Sequence, residues 1–289
     1  MQDTLLQREK WLIISVLLAL SVLAWIFTVY QAQTHVGMGE SVPRDMPSMA
    51  MPEPSHAGMS MPGIGGNGAA PAMGASTMVV EVVLFLLMWV AMMIAMMFPA
   101  TYPMVLLFAR VSKGQRGQVG AAGVPTWIFV AGYLAIWTVF GIFAYPVFLG
   151  MRWLGAHVAW LGDHAPLLSG LVLIGVGLYQ FSHWKRVCLT HCRSPLSFIL
   201  HKWREGVSGA FRMGVDHGAY CVGCCWGLMV VLFAVGLMHL AWMGLLSVAI
   251  FVEKVSQYGG TLGKVIGGVL ILLGLVLLLT PRLLPGFLA

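Results

Sequence analysis

The sequence predicts an all-α fold, a polytopic transmembrane helical bundle of about seven spans with six as the alternative count. Three observations predict it. The 289 residues are 59% hydrophobic and only 9% charged, against roughly 25% charged in ordinary soluble domains, and mean hydropathy is +0.88. Apolar runs of about 20 residues, enough to cross a bilayer as a helix, recur along the chain. Their length favours helices over a barrel, the other architecture that satisfies every backbone polar group in hydrocarbon.

The first run, 11–30, follows Arg8 and Lys10 and shows no small-x-small cleavage signal before Gln31, so residues 1–30 read as an uncleaved N-terminal anchor helix. Residues 31–77 are rich in Gly, Pro, Ser, Ala and Met and nearly free of β-branched and aromatic residues. Such a segment buries too little apolar surface to offset chain ordering, and it reads as a disordered, Met-rich extracytoplasmic loop. The rest, 78–289, reads as a multi-pass helical membrane domain. Its spans are expected at 78–98, with a Pro-interrupted extension through Pro99 and Pro103 to Arg110, then at 125–149, 166–182, 219–239, 241–253 and 263–280. The separation of 241–253 from the span before it rests on a turn near His239, and one kinked helix is the rival reading.

Basic residues set the orientation. Arg8 and Lys10, then Arg110, Lys113 and Arg116, then Lys185, Arg186, Arg193, Lys202, Arg204 and Arg212 fill alternate connections, whereas 31–77 and 150–165 each carry a single Arg. The N-terminus is therefore expected in the cytoplasm, with the chain in a bacterial inner membrane and the lipid bilayer as its first partner. The formal charge of +6 does not point to a nucleic-acid partner, because these residues form no single basic face. The chain carries no phosphate-binding loop, dinucleotide fingerprint, nucleophile elbow or zinc-protease motif, and nothing in its motifs names an enzyme.

The cysteines carry the sharpest chemistry. Cys188 and Cys192 are four apart, with His191 between them, in "KRVCLTHCRSP"; about 25 residues on come His217, Cys221, Cys224 and Cys225 in "HGAYCVGCCWGLM". Helical spacing of three or four puts such side chains on one face, and charge bias puts both groups at the inner membrane edge, where they can converge. Thiolate and imidazole suit Cu(I), Zn(II) or iron clusters, and a reducing interior keeps thiols free. Buried free cysteine also serves as a small hydrophobe. A Cys221–Cys224 thiol-exchange pair is a second alternative, ranked lower because no thioredoxin-like pattern surrounds it.

Methionine is the second signal. "MWVAMMIAMMFPA" sets Met88, Met92 and Met96 on one helical stripe and Met93 and Met97 beside it. Thioethers are soft ligands for Cu(I), although gap-filling in a core explains a helical stripe equally well. Packing does not explain Met38, Met46, Met49, Met51, Met59, Met61 and Met73 with His35 and His56 in a segment that has no core. That segment reads as a copper lure. Among the few charges, Glu81, Glu253 and Lys254 read as interfacial, Glu253 doubling as a ligand or support near the cysteines, and Asp216 as a group to orient His217. Gly223 and Gly227 read as sites of close helix packing.

These residues resemble a family of bacterial predicted metal-binding integral membrane proteins built on a domain of unknown function. The resemblance rests on "MWVAMMIAMMFPA", "YQFSHWKRVCLTHCRSPLSF", "HGAYCVGCCWGLM" and "GLMHLAWM" followed by Glu253 and Lys254, and covers about 80 to 280. It implies an inner-membrane location and a metal site at Cys188, Cys192, His217, Cys221, Cys224 and Cys225. The chain departs from that pattern at His183 and Trp184, and its Met-rich outer loop is longer. The expected function is copper handling, with copper favoured and zinc the rival ion, held by Cys188, His191, Cys192, His217, Cys221, Cys224, Cys225, Met92, Met93, Met96 and Met97. The alternative is an accessory or assembly subunit of a copper-dependent membrane oxidase or monooxygenase, such an enzyme or a copper chaperone being the expected partner.

Overall fold

A computed structural model describes residues 2–39, 75–114, 124–158, 160, 164–235 and 240–280. Among them the secondary structure is entirely helical, in nine helices: α1 (Gln2–Gly39), α2 (Ala75–Gly114), α3 (Thr126–His157), α4 (Ala165–Gln180), α5 (His183–Arg193), α6 (Pro195–Lys202), α7 (Gly206–Val235), α8 (Leu240–Val255) and α9 (Gly259–Leu279). Five segments are long and apolar enough to cross a membrane: Lys10–Gln31, Met78–Gly114, Thr126–Gly155, Gly206–Phe233 and Gly259–Leu279. The bent pair α4 and α5 makes a sixth if it is counted as one span. Helix α8, at the place of the span expected at 241–253, has 16 residues. At about 1.5 Å per residue it rises about 24 Å, short of the about 30 Å hydrocarbon core.

Helix α2 continues through both of its prolines. A proline cannot donate to the carbonyl four residues back, which for Pro99 is that of Ala95. The Ser21 hydroxyl of α1 donates to the Ala95 carbonyl at 2.9 Å and restores the missing partner. This bond also fixes α1 against α2, beside the buried Met92, Met93, Met96 and Met97. The expected anchor helix is thus docked on the bundle, and it runs past Tyr30 to Gly39, so His35 and Met38 lie on its helical backbone. Met46, Met49, Met51, His56, Met59, Met61 and Met73, like the turn at His239, lie outside the described residues.

Helices α3 and α7 cross with their backbones nearly touching. A Cβ added at Gly214 of α7 would run into the Phe129 carbonyl, and one at Gly132 of α3 into that of Phe211. Without a hydrophobic drive between helices in lipid, such close approach lets van der Waals contact hold them. It also extends α7 to Gly206, well before the expected start at 219. Cys221 therefore stands fifteen residues into α7, about 22 Å from its first residue, rather than at a helix edge. The core between α2, α3 and α7 holds Trp89, Phe108, Phe129 and Trp137, with the Trp89 indole donating to the Trp137 carbonyl at 3.0 Å.

The chain bends by 61° between α4 and α5. Ser182 makes the break: its hydroxyl accepts from the Lys185 backbone N–H at 3.1 Å and caps α5, satisfying a donor that helix starts otherwise leave open. Helix α5 is then free to lie against α7 and α8. At its far end the Arg193 guanidinium donates to the carbonyls of Ser256 and Gln257, at 2.6 and 2.8 Å, in the turn between α8 and α9.

Candidate metal centre

The two cysteine groups meet. Helix α5 brings Cys192 to Cys224 of α7, with their sulfurs 3.8 Å apart, and Cys224 Sγ lies 3.3 Å from Cys225 Sγ. Since a disulfide needs about 2.05 Å, these are thiols in contact, and all five cysteines are free. Cys188 packs over Gly223, where an added Cβ would come within 2.6 Å of its sulfur. Gly223 is therefore the notch that lets α5 reach the thiols of α7. Cys221, Cys224 and Cys225 are buried, whereas Cys188 and Cys192 are half-buried.

Cys221 has two polar neighbours from other helices. Lys254 of α8 donates to its sulfur at 2.9 Å, and the Tyr133 hydroxyl of α3 shares a hydrogen bond with it at 3.0 Å. The same Lys254 ammonium lies 3.9 Å from Met97 Sδ, at the end of the α2 methionine stripe. Met93, Met96 and Met97 are fully buried and Met92 nearly so, while Met88 is half-buried. Beside this cluster runs a second polar group: Lys185 of α5 pairs with Glu253 of α8 at 2.6 Å and donates to Gln180 of α4. Both partners of the ion pair are buried, at 2% and 1% exposure.

Among the described residues no group of three or more His, Cys, Asp and Glu side chains is arranged to hold a metal ion. The cysteine sulfurs approach pairwise, Cys192 to Cys224 and Cys224 to Cys225.

A family model, PpoB2, described as a copper chaperone, matches residues 86–277, two thirds of the sequence. The chain belongs to this copper chaperone family. No curated protein and no solved structure matches it. The family places the chain in copper biology, and the stretch it covers includes all five cysteines, the α2 methionine stripe, Glu253 and Lys254.

In this copper chaperone family member the expected histidine and carboxylate ligands make other contacts. His217 is buried one turn before Cys221, but its ring sits among Phe129, Tyr133 and Phe198, at centroid distances of 6.0, 6.0 and 5.5 Å. Its Nδ1 has no hydrogen-bond partner, and neither has Asp216 Oδ2, so the expected Asp216–His217 pairing is not made through these atoms. His191 stacks on Tyr220 with centroids 4.4 Å apart, and its Nδ1 bonds the Val187 carbonyl at 2.9 Å. Glu253, expected as a ligand or support near the thiols, is held by Lys185 instead. Sequence reasoning missed Tyr133 and treated Lys254 as interfacial. A lysine and a glutamate adjacent on a helix that is otherwise apolar was the available signal for a buried pair of charges.

Proposed function

We propose that this family member binds Cu(I) within the membrane and passes it on, with Cys192, Cys221, Cys224 and Cys225 as the holding cluster. Cys188 lies beside the cluster, and Met92, Met93, Met96 and Met97 form a soft approach to it. The observation that carries this reading is the 3.8 Å contact between Cys192 and Cys224, free thiols from two different helices. With metal–sulfur distances of about 2.3 Å, a three-coordinate site spaces its sulfurs about 4.0 Å apart. The Cys192–Cys224 contact needs almost no change to become that spacing, and the 3.3 Å Cys224–Cys225 contact needs to widen by several tenths of an ångström. A donor set rich in thiolate and thioether selects Cu(I) over hard ions.

Copper is cargo in this reading. The bacterial inner membrane, a cytoplasmic N-terminus and collection of copper by the outer methionines of 31–77 complete it. A copper-dependent membrane oxidase or monooxygenase is the class of recipient, which makes the protein an assembly factor; vectorial transport is the second reading, favoured by the Met97–Lys254–Cys221 continuity across helices.

Titration of the purified full chain with Cu(I) against a competing chelator, under reducing conditions, tests the site. The parent protein is expected to hold Cu(I), and a Cys221→Ser, Cys224→Ser, Cys225→Ser variant to lose it. Absence of copper from the parent made under copper-replete conditions refutes the proposal. Zinc bound in its place, with loss of stability on chelation, identifies a structural staple instead.

A further inference from the structure

Lys254 stands where the two sets of soft ligands meet. Its ammonium is buried between Cys221 Sγ at 2.9 Å and Met97 Sδ at 3.9 Å. Among the described residues no carboxylate pairs with it: the adjacent Glu253 is taken by Lys185, which also engages Gln180. Thioether sulfur is a weak acceptor for an ammonium but a good ligand for a soft cation. The lysine head thus occupies a place whose surroundings suit a monovalent soft metal better than they suit a lysine.

We infer that Lys254 is a cationic plug at the joint between the methionine stripe and the cysteine cluster, and that Cu(I) reaches Cys221 from Met97 only as the lysine side chain withdraws. This rests on the copper-binding reading above. Two positive charges a few ångströms apart in a buried site repel strongly, so the ammonium and Cu(I) exclude one another from the joint. The flexible four-carbon stem lets the head leave without moving α8. Exchange of one monovalent cation for another also leaves the charge of the joint unchanged, whereas a divalent ion overshoots it by one. The plug thereby discriminates against Zn(II) as well as delaying copper.

A different role for the lysine, stabilising a Cys221 thiolate ready for metal, predicts the opposite sign. Lys254→Leu and Lys254→Arg variants of the full chain, in detergent, separate the two by chelator competition and stopped-flow loading with Cu(I). Leucine removes the charge without adding a soft ligand, so the loss of a like charge about 4 Å away is expected to tighten Cu(I) binding about tenfold or more and to speed loading. Lys254→Arg, with a bulkier fixed charge, is expected to load more slowly than the parent. A Lys254→Leu protein that binds Cu(I) as the parent does, or more weakly, overturns the plug while leaving the copper site standing. If Lys254→Leu does not fold, Lys254→Arg decides: slower loading supports the plug and unchanged loading overturns it. A parent that binds no Cu(I) overturns both proposals.

Discussion

Glu253→Gln removes one charge from the buried Lys185–Glu253 pair and leaves the other without a counter-charge. At 2.6 Å two unit charges attract by about 6 kcal/mol for an effective dielectric of about 20. Part of that gain is offset by the cost of bringing both ions out of water, so the pair is not worth 6 kcal/mol to the fold. Stranding Lys185 is a separate matter, because an uncompensated buried charge costs about 3–5 kcal/mol. Against a total stability of about 5–15 kcal/mol for a typical protein, such a loss is severe. The Gln180 side-chain amide oxygen still accepts from Lys185, which holds the expected loss near the low end, about 3 kcal/mol. Unfolding by titration from mild detergent into dodecyl sulfate, followed by tryptophan fluorescence, measures the difference. Because the pair also ties α5 to α8, Cys188 and Cys192 are expected to react faster with a thiol probe in the variant. The double variant Lys185→Met, Glu253→Leu, which removes both charges, is expected within about 1 kcal/mol of the parent. A Glu253→Gln protein within 1 kcal/mol of the parent, or a double variant as unstable as the single one, refutes the assignment of this pair as a buried ionic tie.

Three further outcomes follow from contacts between helices. Ser21→Ala strands the Ala95 carbonyl and is expected to cost about 1–3 kcal/mol; Pro99→Ala supplies an N–H to the same carbonyl, so the double variant recovers stability, and failure to recover disproves the pairing. In Gly223→Ala the new methyl meets Cys188 Sγ, with an expected cost of about 1–3 kcal/mol and faster labelling of Cys188; labelling at the parent rate contradicts the notch. Mild oxidation is expected to join Cys192 to Cys224, linking α5 to α7, with peptide mapping as the readout; a map that shows only bonds to Cys188 contradicts the packing of the two helices.

The helical class and the grouping of the thiols on one side of each helix were legible because both depend on short-range periodicity. Four-residue spacing puts Cys188 and Cys192 on one side of α5, and the alternation of three and four does the same for Cys221, Cys224 and Cys225. The methionines at 92, 93, 96 and 97 are buried for the same reason. What depended on tertiary docking was not legible. Arg212, Asp216 and His217 make 205–218 look like a polar connection, yet α7 runs through it because glycines 214 and 218 let it lie on α3 and because His217 is enclosed by aromatic rings. The i, i+4 relation of His217 to Cys221 holds along the helix, but the aromatic rings claim the imidazole. Lys254 looks like an end-of-helix charge until α2 and α7 close around it. The Met-rich segment offers composition alone, and its residues 40–74 fall outside what the structure describes.

Cys192 and Arg193 are consecutive residues with opposite attachments: the thiol touches Cys224 of α7, and the guanidinium grips the carbonyls of Ser256 and Gln257. On a helix, neighbours point about 100° apart, so one rigid turn of α5 ties the sulfur cluster to the turn between the last two helices. The cysteines that α7 carries have no such tie through α5, and Cys192 is the thiol by which the buried cluster is coupled to the surface of the bundle.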